Sequence, residues 1–171
     1  LQLLPGDGAS VGAKLVSDPR ISGVAFTGST ETARAINRAM ANRDAPIGVL
    51  IAETGGQNAM IADSSALPEQ LIKDSVMSAF GSAGQRCSAL RVLCVQQDVA
   101  ERTIELLRGA MKELRVGDPG CFSTDIGPVI DDQARQMLEQ HIERMNREAK
   151  LIGKVELGAD HQNGCFVAPH A

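Results

Sequence analysis

Short apolar runs that stop at glycine-bearing turns, with helical spacing between them, constrain this chain most. Gly23-Val24-Ala25-Phe26 runs into Thr27-Gly28-Ser29-Thr30, and residues 47–52 run into Glu53-Thr54-Gly55-Gly56. Between these runs Ala33, Ile36 and Met40 recur at the period of a helix face. Residues 1–4 form a similar run closed by Pro5-Gly6-Asp7-Gly8, and a helix is expected from about residue 10 to 16, before Asp18-Pro19. Strand–helix–strand–helix–strand at this length implies parallel pairing through crossovers. The segment up to Gly56 is therefore expected to hold three short buried strands.

A second set of elements begins near Gln57. Residues 58–62 read as a strand and 68 to about 79 as a helix, with Leu71, Ile72, Val76, Ala79 and Phe80 on one face. The loop 81–86 then delivers Cys87. Residues 89–95 read as a strand, and 99–114 as a helix with Val99, Thr103, Leu107, Ala110 and Leu114 in register. After the break at Gly117-Asp118-Pro119-Gly120, residues 131–149 carry the strongest helical period, with Ala134, Met137, Leu138, Ile142, Met145 and Ala149 on one stripe. Residues 150–157 and 165–167 look like closing strands. The fold class is α/β, with two partial sheets meeting near Gly55-Gly56. A length of 171 residues, 43% of them apolar, suffices for a domain-sized core.

The net charge of -4, from 17 basic and 21 acidic residues, contains no strongly basic stretch, which argues against a nucleic-acid partner. No run of roughly 18 apolar residues exists, so no membrane span is read. The start, Leu1-Gln2-Leu3-Leu4-Pro5-Gly6, lacks both an initiator Met and the basic opening of a signal peptide, and reads as a beginning inside a longer protein. The cysteines are Cys87, Cys94, Cys121 and Cys165; none forms a CxxC pair, and His141, His161 and His170 are not clustered near them. No metal site is expected, and reduced cytoplasmic thiols are the favoured reading.

Three segments carry candidate chemistry. In Gly84-Gln85-Arg86-Cys87-Ser88 a cysteine lies in a glycine-flanked loop between a helix and a strand, where its sulfur can face a crevice and Arg86 can favour the thiolate. On this loop alone, a small packed apolar residue is the commoner role for a free cysteine. Glu53 stands at the end of a strand before two glycines, where α/β enzymes place working groups and where backbone or ligand can approach closely; a solvated acid at a turn is the alternative. Thr27-Gly28-Ser29-Thr30 joins a strand to a helix N-terminus, whose amides and dipole favour a phosphate. An ordinary cap by Ser29 or Thr30 explains it equally well. Gly8 and Gly12 add a softer hint of a helix close to a ligand, and there is no G-x-G-x-x-G.

The combination is more specific than its parts, and it resembles the aldehyde dehydrogenase superfamily. That family has a Phe-Thr-Gly-Ser turn at the dinucleotide pyrophosphate, a Glu-x-Gly-Gly general base and a Gly-Gln-x-Cys nucleophile. Here they occur in that order as Phe26 to Ser29, Glu53 to Gly56 and Gly84 to Cys87, with base and nucleophile 87 − 53 = 34 residues apart. Gly127-Pro128-Val129-Ile130-Asp131 and Gly164-Cys165-Phe166-Val167-Ala168-Pro169 fit as well, so the resemblance covers essentially the whole chain. Ser78 to Arg91 and Ala52 to Asn58 look most like the glutamate-semialdehyde (pyrroline-5-carboxylate) dehydrogenase branch, as carried by bifunctional proline-utilisation flavoenzymes.

The resemblance implies a partial aldehyde dehydrogenase fold. Residues 1–56 would be the C-terminal part of a Rossmann-like NAD-binding domain, and 57–171 the start of the catalytic domain. It implies Cys87 as nucleophile and Glu53 as base. Gly28 and Ser29 would face the pyrophosphate, with Gly8 and Gly12 nearby, and the Thr54 and Gly55 backbone would lie near the nicotinamide. Ser88 would line a pocket for a small aldehyde, and Arg86 either touches the substrate or merely solvates the loop, the latter slightly favoured. NAD is the implied cofactor, FAD belonging only to a separate proline dehydrogenase domain, and a homo-oligomeric parent enzyme is implied. The family's remaining NAD and oxyanion contacts lie outside these residues, so the 171-residue chain alone is expected to bind NAD weakly and turn over little. Two other classes remain. One is an acylating semialdehyde reductase of the superfamily, against which Glu53 argues. The other is a non-catalytic truncated module, against which the intact Cys87 and Glu53 motifs argue.

Overall fold

The computed structural model describes all 171 residues, Leu1–Ala171, and divides into two compact units, Leu1–Gly56 and Gln57–Ala171. In the first unit Asp7 caps a π-type turn over Gly8–Gly12 that runs into α1 (Ala13–Ser17). The Asp7 carboxylate accepts from the Ser10 amide at 2.8 Å and its hydroxyl at 2.7 Å. Those hydrogen bonds hold the carboxyl below the ordinary aspartate range, the hydroxyl contributing most. β1 (Gly23–Thr27) pairs in parallel with β2 (Val49–Glu53), in register from Gly23 opposite Val49 to Thr27 opposite Glu53. α2 (Thr30–Ala41) is the crossover between them, with Ala33 and Met40 buried. Arg43, just beyond α2, donates to the carbonyls of Asp18 and Ile21 at 3.0 and 2.8 Å, which ties the helix end to the loop before β1.

The expected first strand does not form. Residues 1–4 pair with nothing, and Leu1, Leu3 and Leu4 are exposed. An apolar run becomes a strand only where a neighbouring strand satisfies its amides and carbonyls. β2 forms but is not buried: Val49 and Ile51 lie open while Leu50, level with Val24, is half-buried. One face of the pair is thus covered, whereas a buried parallel strand needs cover on both.

In the second unit β3 (Asn58–Ala62) pairs in parallel with β4 (Leu90–Val95). α3 (Pro68–Phe80) is the crossover, and its Pro at the first turn suits a position where no amide bond is needed. α4 (Gln97–Lys112) follows. Ile72, Ala62, Ala89, Leu90, Met111, Ile126, Val129 and Val155 form the buried core. Two polar groups within it are satisfied: Thr103 donates back to the Val99 carbonyl at 2.9 Å, and the Ser75 hydroxyl meets the Met60 sulfur at 3.5 Å.

α5 (Asp132–Glu148) starts at Asp131, whose side chain accepts from the Ala134 amide at 2.8 Å. On its apolar stripe Ala134, Leu138 and Ile142 are half-buried and Met137 is exposed. The closing strands also fail to form. A single antiparallel bridge, Lys154 with His170, stands in their place. Pro169 lies beside it and has no N–H to extend a ladder, so its carbonyl only accepts from Val155 at 3.0 Å. The Cys165 carbonyl accepts instead from Val129 at 2.8 Å.

Candidate active site

In the first unit the two candidate turns share one end of the strand pair. Thr27 and Glu53 are opposite one another at the C-terminal ends of β1 and β2, and the Gly28 amide donates to the Glu53 carbonyl at 3.1 Å. The Glu53 side chain is exposed and makes no ion pair or side-chain hydrogen bond. A Cβ on Gly28 would meet the tip of the Phe26 ring, so a side chain there requires that ring to move aside. Ser29 is the α2 cap, accepting from the Thr32 amide at 3.1 Å. The next two amides of the first turn, Thr30 and Glu31, find no acceptor in the chain, and they point the positive end of a twelve-residue helix outward from the strand end. Thr54 is half-buried and Gly55 exposed beyond β2. Gly8, Gly12 and Gly55 all have open space where a Cβ would go. These glycines are therefore not required by packing within the unit.

In the second unit Cys87 is exposed in the loop between α3 and β4, followed by exposed Ser88. The loop is held at every step. Ser82, Ala83 and Gly84 take left-handed backbone, with φ of 56°, 52° and 68°. For Ser and Ala such a conformation costs about 1 kcal/mol or more each, and it persists only where neighbours impose it. The Gly84 carbonyl accepts from Arg91 Nη2 at 2.7 Å. Gln85 Oε1 accepts from the Ile130 amide at 2.9 Å, which ties the loop to the Gly-Pro-Val-Ile segment. Arg86 Nη2 donates to the Met77 carbonyl at 3.1 Å and the Ser78 carbonyl at 3.4 Å, capping the end of α3. Asn58 Nδ2 donates to the carbonyls of Cys87 at 2.7 Å and Ala89 at 2.9 Å.

The expected site residues thus fall into two groups, Glu53 with Gly28, Ser29, Thr54 and Gly55 in the first unit and Cys87 with Arg86 and Ser88 in the second. Arg86, a candidate for either substrate contact or solvation of the loop, has its guanidinium directed onto the α3 carbonyls.

The aldehyde dehydrogenase family profile matches residues 1–170. The chain belongs to the aldehyde dehydrogenase family. Relatives place it further. Bifunctional protein PutA of Escherichia coli K12 is 54% identical over 178 residues, which take in 99% of this chain and 13% of that protein. The crystal structure of a mutant of Bradyrhizobium japonicum proline utilization A (PutA) superposes with a TM-score of 0.90 at 59% identity, over 96% of this chain and 16% of that one. A Thermus 1-pyrroline-5-carboxylate dehydrogenase with bound NAD gives a TM-score of 0.85 at 34% identity, over 98% of this chain and 32% of that one. This aldehyde dehydrogenase chain therefore spans about a seventh of the PutA relatives' length and a third of the single-function dehydrogenase.

Asn58, Gln85 and Arg91 were not among the expected site residues of this aldehyde dehydrogenase. Their signal was faint. Each is a polar residue beside an apolar strand or a motif cysteine, and nothing in a linear pattern says which carbonyls it will meet.

Proposed function

We propose that this chain supplies the nucleophile, the base and part of the dinucleotide cradle of an NAD-dependent aldehyde dehydrogenase that oxidises L-glutamate γ-semialdehyde to glutamate in proline breakdown. The observation that carries the reading is the exposed Cys87 at the tip of a loop whose backbone is held by side chains on all sides. Residues 1–56 are then the C-terminal part of the NAD-binding domain and 57–171 the start of the catalytic domain, a reading supported by the division after Gly56.

The residues fit the cofactor. The open first-turn amides and positive end of α2 suit a pyrophosphate, with Gly28 and Ser29 at its edge, and the open space at Gly8 and Gly12 leaves a ligand room to approach. NAD, when bound, accepts a hydride. The Cys87 thiolate attacks the aldehyde carbon, forming a C–S bond and an alkoxide. The Cys87 amide, which donates to no group of this chain, is available to hold that oxygen. Loss of hydride from the same carbon leaves a thioester on Cys87. Glu53 takes a proton from water, the hydroxide adds to the thioester, and the acid leaves as Cys87 regains its thiolate. Thr54 and Gly55 line the nicotinamide side, Ser88 lines the aldehyde pocket, and Arg86 holds the end of α3 that leads into the Cys87 loop. The free thiols suit a cytoplasmic setting, and no helix is long and apolar enough to cross a membrane.

The test is NADH formation by the purified full-length protein with glutamate semialdehyde. Cys87→Ser is expected to lower turnover by about 1,000-fold or more. Absence of NADH with the unaltered protein, or undiminished turnover by the variant, would refute the proposal.

A further inference from the structure

We propose that Asn58 is a positioning residue for the Cys87 nucleophile, clamping the backbone carbonyls of Cys87 and Ala89 on either side of Ser88. The inference rests on the nucleophile assignment above. β3 and β4 pair in step from Ala59 opposite Val92 to Ala62 opposite Val95, but Asn58 lies opposite Leu90. Arg91 is therefore an extra residue on β4, a bulge at the end of the sheet that leads into the nucleophile loop. The bulge redirects two side chains. Arg91 reaches back to the Gly84 carbonyl at 2.7 Å, and Asn58 takes over where the backbone ladder ends.

The Asn58 amide is half-buried and gives one hydrogen to Cys87 O at 2.7 Å and the other to Ala89 O at 2.9 Å. Both partners are carbonyls and can only accept. The amide must therefore present its NH2 end, whichever way it is drawn. A peptide unit is planar, so drawing the Cys87 carbonyl toward Asn58 fixes the ψ of Cys87 and turns the Ser88 N–H to the opposite side. The direction of the Cys87 Cα–Cβ bond relative to the sheet is set by the same contact. The Ala89 amide on the Arg86 carbonyl at 3.1 Å closes a turn with Cys87 and Ser88 at its centre, and the Leu90 amide meets the Ser78 hydroxyl at 3.2 Å, but the Cys87 carbonyl itself is held by Asn58. An exposed nucleophile gets no positioning from burial, so hydrogen bonds to its backbone must supply it. Asn58 itself touches only main chain and has no proton to give to the reaction.

Asn58→Asp is the discriminating variant. It keeps the size and shape of the side chain but aims oxygens at two carbonyl oxygens. In the full-length protein it is expected to lower kcat for semialdehyde oxidation about 10- to 100-fold while the KM for NAD moves less than about twofold. The ratio of its kcat to that of the unaltered protein should rise as pH falls from about 8 to about 5, because a protonated Asp regains one donor. Asn58→Ala removes the clamp without adding charge, and its smaller loss of kcat should show no such pH trend. Thermal unfolding checks that both variants fold, as the Asn58 backbone ladder does not depend on the side chain. Cys87→Ser is measured alongside. If Cys87→Ser abolishes turnover while both Asn58 variants keep kcat within about twofold, or while the Asp ratio is flat with pH, Asn58 is not a positioning residue. If Cys87→Ser keeps turnover, the nucleophile assignment itself has failed.

Discussion

The end of β2 that carries Glu53 is held by strand register and one amide, whereas the loop that carries Cys87 is held by four side chains. On the first side Gly28 donates to the Glu53 carbonyl and the carboxylate is left unpaired. On the second, Asn58, Gln85, Arg86 and Arg91 each fix a different stretch of backbone around the sulfur. The difference matches the two tasks proposed for Glu53 and Cys87. A base that takes a proton from a mobile water tolerates a loosely held carboxylate. A nucleophile must meet one carbon along one direction, where small displacements are costly.

The comparison can be broken or sharpened by substitution. Glu53→Gln has the largest expected effect. Steady-state turnover should fall about 100- to 10,000-fold, while a first burst of NADH of about one per site survives, because acyl transfer to water is the step that needs the base. Stopped-flow absorbance checks this, and loss of the burst would mean that Glu53 acts before hydride leaves. Gly84→Ala attacks the tightly held side. Its Cβ would stand 2.9 Å from the Ala79 carbonyl and 3.2 Å from Arg91 Nη1, at a φ of +68°. A loss of about 1–3 kcal/mol in unfolding free energy is expected by chemical denaturation, together with a lower kcat. Gly28→Ala probes the register-held side and should do least. Moving the Phe26 ring aside costs little, so a rise in KM for NAD of about fivefold, with the NADH burst intact, is expected from steady-state and burst kinetics.

Local pattern made much of this legible. The helices, the parallel pairing of Gly23–Thr27 with Val49–Glu53 and the Asn58–Ala62 strand follow from apolar period and glycine turns. The three family motifs could be read because each is a contiguous run of residue types. What the pattern missed depends on partners. Residues 1–4 form an apolar run, but such a run does not say whether a neighbouring strand pairs with it. The closing strands failed at Pro169, where one missing N–H outweighs apolar character. Asn58 and Arg91 were invisible for a different reason. Their importance comes from a one-residue bulge, and a bulge is a fact of register between strands separated by a helix.

The most direct test of the account is the mass of the covalent intermediate. Full-length Glu53→Gln protein is mixed with NAD and glutamate semialdehyde, quenched in acid and digested. The account predicts one acyl group per chain, as a thioester on the peptide bearing Cys87, and none on Cys94, Cys121 or Cys165. NADH formed without any acyl adduct, or an adduct on another cysteine, would contradict it.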